Sequence, residues 1–295
     1  MTAYNNDYEL LDFGACRRLE RFGPIVLDRP APAAESALKL QPELWRNVTA
    51  RYEGSRAGEG DWVPAASVWV PRNWQFAHAG AAQFRLQLGA LASGQVGVFP
   101  EQCANWDWLA RQVAKSRNTL NRSPRVLNLF AYTGGSTLAA AAAGAVVAHV
   151  DAARSSVERG RENAALSRLA DHPIRWIVED ALKFCRRQVK RGNKYDGIVL
   201  DPPSYGHGPK GEEWRIDRHL LPLIRLCGEL TADERAFVLV TCHTPGIGPA
   251  ELAAYLADGI FGSCGQSLDS GTLFVEATDG RKLPSGVYAR WPKTT

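Results

Sequence analysis

From Arg125 onward, short apolar runs alternate with helix-length stretches. RVLNLFAY, VVAHVD, IRWIVED, YDGIVLD and AFVLVTCH read as strands, with TLFVEATD as a late one. Between them STLAAAAAGA, SSVERGRENAALSRLA, ALKFCRRQVKR, HLLPLIRLCGEL and PAELAAYLADGIF read as helices. Strands alternating with helices of ~10–15 residues imply βαβ units and a sheet covered on both faces. VVAHV, YDGIVL and AFVLV are nearly continuous in apolar residues, as buried parallel strands are. The expected fold over 125–295 is α/β, a Rossmann-like doubly wound domain with a mostly parallel sheet. The pattern before it differs. YELLDFG, GPIVLDRP, DWVPAASVWVP, QFRLQLGAL and QVGVFPE are short runs broken by Gly, Pro and Asn, and this part holds most of the tryptophans. It reads as a small β-rich domain over 1–110, with a helix expected around PELWRNVTARY. A linker helix over 111–124, within WDWLARQVAKSRN and its SPR turn, joins the two.

Composition narrows the class. The chain has 295 residues, 45% hydrophobic and 22% charged, the balance of a soluble globular protein. No apolar run approaches the ~20 residues of a membrane span, and MTAYNNDYELLDF lacks the regions of a signal peptide. Cys16, Cys103, Cys185, Cys227, Cys242 and Cys264 form no CxxC pair, which argues against a zinc site or a disulfide framework. Free thiols in a cytoplasmic setting, with no metal, are the expectation. A net charge of +4 permits an anionic partner without requiring one. Basic clusters at 17–23, 111–125 and 185–194 suit phosphates, or simply solvated helix faces.

Chemistry gathers where strands end, the side on which open α/β sheets bind ligands. Those ends carry NLFAYTGGST, Asp151, Glu179-Asp180-Ala181, Asp201-Pro202-Pro203 and Thr241-Cys242-His243. Gly134 and Gly135 let the backbone turn tightly, and the following helix offers N–H groups to a ligand. Asp151, 17 residues after Gly134, stands where a carboxylate accepts ribose hydroxyls in dinucleotide-type folds. The pyrophosphate fingerprint GxGxxG is absent. A cofactor with a ribose and no pyrophosphate fits, and S-adenosylmethionine is one. Singly, a Gly-Gly turn or a helix-capping acid explains each piece; the ordered set points to a cofactor.

The stretch LDPPSYGHGPKG holds the acceptor side. Asp201 offers a carboxylate, while Pro202 and Pro203 fix the backbone and remove competing donors. Tyr205 offers a face on which a flipped or single-stranded base can stack. The alternative is that the prolines end the strand and Tyr205 packs on the sheet edge. Residues 207–213 read as a substrate-side flap, with Lys210 and Arg215 available to phosphates.

LNLFAYTGGSTLAAAAAGA, HVDAARSSVERGRENA, VEDALKF and LDPPSYGHGPKGE together resemble the class I S-adenosylmethionine-dependent methyltransferases. Within them the chain is similar to the bacterial 23S ribosomal RNA methyltransferases related to RlmI, and GVFPEQCANWDWL resembles the segment preceding their catalytic domain. The resemblance implies that Phe130, Tyr132, Thr133, Gly134 and Gly135 form the methionine-side loop. It implies that Asp151, with Ala152 beside it, binds the ribose, and that Asp180 and Ala181 face the adenine. Gln102, with Asn105, would close over the cofactor. Asn163 either touches the cofactor or bonds a neighbouring loop. The implied partner is RNA, and no membrane is involved.

Two acceptor atoms stay open. RlmI-like enzymes make 5-methylcytosine, and Cys242 falls where a nucleophilic cysteine occurs in them. That chemistry is favoured over methylation of a base nitrogen, because Ser204 separates the prolines from the aromatic ring that follows them directly in amino-methyltransferases. Cys242 can equally be a small buried apolar residue. A nicotinamide-dependent dehydrogenase would need a pyrophosphate loop in place of NLFAYTGG. A non-catalytic RNA-binding module would have lost the Gly loop, Asp151 or Asp201.

Overall fold

The computed structural model describes residues 7–54, 60–231, 235–263 and 266–293, so Cys264 lies outside the described residues. The chain divides into two compact units, Met1–Ala104 with Phe274–Ser285, and Asn105–Leu273 with Gly286–Thr295. Among the described residues no helix is long and apolar enough to cross a membrane. No group of three or more His, Cys, Asp or Glu side chains is placed to hold a metal there.

The first unit is β-rich. Strands β1 (Tyr8–Gly14), β2 (Arg17–Phe22) and β3 (Ile25–Pro30) form an antiparallel meander. β4 (Ala50–Glu53) runs parallel to β3, and β5 (Asp61–Val63) antiparallel to β4. A short helix α1 (Ala66–Trp69) leads to the hairpin β6 (Gln75–Ala79) and β7 (Gln83–Gln87). Aromatic rings fill this unit: Tyr52 meets Trp62, Trp62 meets Trp69 and Trp69 meets Trp74, with centroids 5.3 to 5.6 Å apart. The helix expected around PELWRNVTARY does not form. Leu44–Arg46 makes one tight turn, Trp45 Nε1 donates to the buried Asp12 Oδ2 at 2.8 Å, and β4 follows. Asp12 and the pairing of Thr49 N–H with Val26 O (2.8 Å) pull this segment into the sheet, overriding its helical composition.

The second unit carries the α/β pattern. Helix α2 (Cys103–Leu120) leads to β8 (Arg125–Leu129), α3 (Gly135–Ala142), β9 (Val146–Asp151), α4 (Arg154–Leu166), β10 (Ile174–Val178) and α5 (Ala181–Lys190). β11 (Gly197–Leu200), the small hairpin β12 (Tyr205–His207) and β13 (Glu213–Arg215), α6 (Ile216–Leu230), β14 (Phe237–Cys242) and α7 (Pro249–Leu256) follow. β15 (Asp269–Glu276) and β16 (Lys282–Trp291) complete the chain. The sheet order is β10-β9-β8-β11-β14-β16-β15. The first five are parallel and β16 is antiparallel to β14. Successive strands run outward from β8 to β10, then restart at β11 on the other side. The order therefore reverses between β8 and β11, the place where such sheets leave a crevice.

Apolar continuity explains the centre. Ile198, Leu200, Val238 and Val240 are fully buried, and in α3 Leu138 through Ala141 are alanine-sized or apolar without exposure. The opposite ends of the strands are clamped by one acid. Asp196, buried, accepts both Nη groups of Arg122 at 2.7 Å and Arg125 N–H at 2.6 Å. Its carbonyl accepts Ala236 N–H at 2.7 Å, so β8, β11 and β14 start from one residue. Replacing Asp196 by Ala leaves the donors without an acceptor and is expected to cost about 2 kcal/mol. A lowered denaturant midpoint with unchanged slope would show it.

Candidate active site

β8 ends at Leu129, and the next residues bend sharply: Phe130 and Tyr132 take left-handed φ values of 54° and 49°, and Gly134 97°. Such backbone costs a non-glycine residue about 1–2 kcal/mol, so other contacts must hold it. Ala131 N–H donates to Val150 O at 3.1 Å. Tyr132 N–H donates to Asp151 Oδ2 at 2.8 Å. Asn163, buried on α4, donates from Nδ2 to Thr133 O at 2.9 Å, which is the loop-bonding role. Gly134 then caps α3. A Cβ on Gly135 would stand 2.5 Å from the Trp106 ring, so only glycine fits there.

Asp151 ends β9 half-buried. Its second oxygen, Oδ1, accepts Ala153 N–H at 2.9 Å. Burial pushes this carboxyl up, against the two backbone N–H groups that favour its charge. Ala152 lies half-buried beside it. At the end of β10, Asp180 Oδ1 accepts Lys183 N–H at 2.8 Å and so caps α5, with Ala181 buried in the first turn. Both Nη groups of Arg187 bind its neighbour Glu179. Gln102 is buried in the turn Pro100–Gln102 of the first unit. Asn105, buried at the start of the second, accepts Arg290 Nη1 at 3.4 Å.

Sequence reading missed a polar stack beneath the loop. Asn128 Nδ2 donates to Thr137 Oγ1 at 2.9 Å, and that hydroxyl meets His149 Nδ1 at 2.9 Å. The fully buried His149 ring is neutral, and its Nδ1 either accepts the Thr137 hydrogen or donates to that hydroxyl. Burial, then the charge of Arg161, lowers its pKa to about 3. Trp176 covers the ring at 4.6 Å.

The acceptor corner follows β11. Thr241 Oγ1 donates to Asp201 Oδ1 at 2.6 Å, and His243 Nε2 lies 3.4 Å from the same oxygen. Burial raises the Asp201 carboxyl, but His243 and Thr241 together outweigh it and hold the carboxyl below its usual range. Pro202 is buried and Pro203 exposed. Pro203 O accepts Trp214 Nε1 at 2.7 Å, and the Trp214 ring lies 4.7 Å from Phe130. Ser204 Oγ and Thr244 Oγ1 are 2.8 Å apart. Tyr205 stands 54% exposed on the hairpin, its hydroxyl 3.0 Å from His207 Nε2. Cys242 is buried on β14, where its Sγ accepts Thr244 N–H at 3.4 Å and burial pushes the thiol up. His243 therefore meets Asp201 rather than serving its neighbour Cys242. The sequence places Thr241 at a strand end and Trp214 beside the flap, but does not announce that Thr241 bonds Asp201 or that Trp214 bonds Pro203 O.

The neutral His149 generates a pH dependence. Its folded pKa of about 3 lies below the ordinary 6.5, so between these values the unfolded chain binds a proton that the folded chain does not. Stability is expected to fall as pH drops from 6.5 towards 3, by up to about 5 kcal/mol from this ring. Urea unfolding of wild type and His149→Asn across that range reads the slope, which should be smaller in the variant. Equal slopes would overturn the account.

A family model described as S-adenosylmethionine-dependent methyltransferase matches residues 47–258. The chain is 40% identical over 170 residues to a ribosomal RNA large subunit methyltransferase I of Aeromonas salmonicida, covering 56% of this chain and 42% of that protein. A protein of the same name in Tolumonas auensis is 43% identical over 82 residues, covering 28% of this chain and 21% of that one. The chain thus spans less than half the length of these relatives. A solved SAM-dependent methyltransferase from Agrobacterium tumefaciens is similar throughout, with TM-score 0.86, 33% identity, and 99% and 92% of the two chains covered. A Streptococcus mutans structure shares the fold alone, at TM-score 0.70 and 16% identity, with 98% and 76% covered.

Proposed function

The chain belongs to the S-adenosylmethionine-dependent methyltransferases, and from that premise we propose that it methylates a base of RNA. The observation that carries this reading is the link between two halves of one site. Phe130, on the glycine loop, packs against Trp214, whose indole N–H holds Pro203 O of the acceptor corner. A donor loop and an acceptor corner tied by one ring suit group transfer between two bound molecules.

The donor set fits S-adenosylmethionine: Asp151 for the ribose hydroxyls, the glycine-capped start of α3 for the carboxylate tail, and Asp180 with Ala181 for the adenine. Phe130, Tyr132, Thr133, Gly134, Gly135 and Ala152 shape that cradle in this reading, and Gln102 belongs to it by resemblance. When bound, the cofactor supplies a methyl group on a sulfonium, which the base accepts with loss of one proton. Asp201, Pro202 and Pro203 hold the base edge, and the exposed Tyr205 offers it a stacking face. The RNA substrate is argued from the names of the ribosomal RNA methyltransferase relatives and from a net charge of +4 that tolerates phosphates. The five described cysteines are free thiols, in keeping with the cytoplasmic setting that belongs to this reading.

The accepting atom has two readings. Cytosine C5 needs Cys242 as a nucleophile that adds to the ring. Base nitrogen needs no nucleophile, and the burial of Cys242 with its raised thiol pKa favours it. Incubation with methyl-labelled S-adenosylmethionine and deproteinised total RNA, followed by mass spectrometry of the nucleosides, tests the function and identifies the atom. Cys242→Ala is expected to abolish labelling on the first reading and to leave it on the second. Asp151→Ala should weaken binding of S-adenosylhomocysteine by roughly 10- to 100-fold in calorimetry, as loss of hydrogen bonds to a charged group does. Protein and small-molecule fractions are offered in parallel, and labelling of either with none in RNA would sink the substrate assignment.

A further inference from the structure

Resting on the reading that the chain methylates RNA, we propose that the outer face of α5 is a track for the phosphates of the strand that carries the target base. α5 turns Ala181, Leu182, Phe184, Cys185 and Gln188 into the core. Its outward positions are Lys183, Arg186 and Lys190, with Arg187 half-buried between them, and the exposed Arg191 and Lys194 follow its end. No Asp or Glu occurs from 181 to 195. Residues three and four apart share one helix face, so 183, 186, 187 and 190 form a single stripe of like charge. Residues 154–194 hold eleven Lys and Arg against five Asp and Glu, an excess larger than the +4 of the whole chain.

Such a stripe works against the helix that bears it, because like charges at those spacings repel. Glu212 meets Lys183 at 3.4 Å, and Glu179 binds Arg187. Arg186, Lys190 and Arg191 meet no carboxylate among the described residues. The helix dipole rewards a cation or two in the last turn, but it does not explain a face with no acid. A polyanion laid along the face relieves the repulsion that the fold leaves standing. The place of the stripe fits RNA. α5 starts at Asp180, and the Lys183–Glu212 pair joins its first turn to the hairpin that carries Tyr205. From Lys183 to Lys190 the stripe then runs on for about 10 Å, at ~1.5 Å per residue. A strand whose base stacks on Tyr205 would lay its neighbouring phosphates there. Three of the cations, Arg186, Arg187 and Arg191, are arginines, whose forked guanidinium matches phosphate oxygens. Phosphate contacts fix register without reading sequence, so the track positions the strand and leaves the choice of base to the acceptor corner. A second copy of the chain would present the same charge and be repelled.

The test changes Arg186, Lys190 and Arg191 together to Gln, which keeps helix propensity. A control changes Arg46, Arg225 and Lys282 to Gln, removing the same charge from exposed positions elsewhere. Filter binding of end-labelled, deproteinised total RNA is measured over a range of salt. The α5 variant should bind roughly 10-fold more weakly, as loss of three surface charge contacts implies. Its slope of log K against log salt should be shallower by about 2. The control should keep the wild-type slope, and so should Arg186→Lys with Arg191→Lys, which retains the charge. In methyl transfer the α5 variant should raise KM for RNA and leave kcat, because uniform binding is lost. Unchanged binding of S-adenosylhomocysteine shows that it is folded; if that binding is lost, Arg186→Gln and Arg191→Gln singly should each lower the slope by about 0.7. If wild type labels RNA and the α5 slope is unchanged, the track is overturned while the functional reading stands. If wild type binds RNA but labels none, the functional reading fails while the slopes still decide the track. No RNA binding by wild type, a control slope lowered as much, or a loss confined to binding of anionic phospholipid vesicles also overturns the track.

Discussion

The bond from Tyr132 N–H to the Asp151 carboxylate, 2.8 Å long, is the constraint on which the site depends. It spans two adjacent parallel strands at the ends where they release the chain. Without it, two non-glycine residues in the left-handed region would relax at a gain of a few kcal/mol. The acid at the end of β9 therefore has two tasks. It anchors the loop after β8 through one oxygen and caps the start of α4 through the other, while each oxygen keeps a further lone pair for a ligand. A residue fixed by its neighbours in this way is preorganised before any ligand arrives.

Buried polar groups elsewhere follow the same logic of complete pairing. Asp12 collects N–H groups from Gln41 and the Trp45 indole and so decides the path of a long connection. Glu20, fully buried, pairs with Arg29 and accepts the hydroxyl of Tyr8. Asp196 gathers the strand starts on the side away from the site. Each acid replaces what would be a costly unpaired donor with charge-assisted bonds. Rigid strand starts and a strained loop at the strand ends then divide the unit into a scaffold and a working face.

Much of this was legible in the sequence because it is local. The strands from β8 to β14 declare themselves as apolar runs between helices, and their ends are where the acids stand. That Gly134, Asp151 and Asp201 stand at or just past strand ends was readable from order alone. What escaped reading is what only tertiary pairing creates. The segment LPSGVYARW of β16 alternates weakly and contains Pro284 and Gly286, so its pattern is that of a loop until β14 pairs with it. The expected helix near residue 45 yielded to an aspartate 33 positions away. His243 pairs with an acid from another strand, 42 positions upstream, which no spacing rule announces. Asn128, Thr137 and His149 sit on three elements, and each alone looks like an ordinary polar residue near a core.

The placement of β16 bears on how the polypeptide matures during synthesis. It lies between β14 and β15, so β14 keeps an unpaired edge until residues 282–291 have left the ribosome. Phe274–Ser285 are also counted with the first unit, so that unit too waits for chain made late. Each unit thus takes its last segment from chain made after β14, whereas domains usually finish in order from the N-terminus. Until then β14, with every residue buried in the finished sheet, presents a bare apolar edge of the kind that recruits other chains. Residues 282–291 are thus the cover of that edge, and the last strand to join is the one that closes the sheet beside the candidate site.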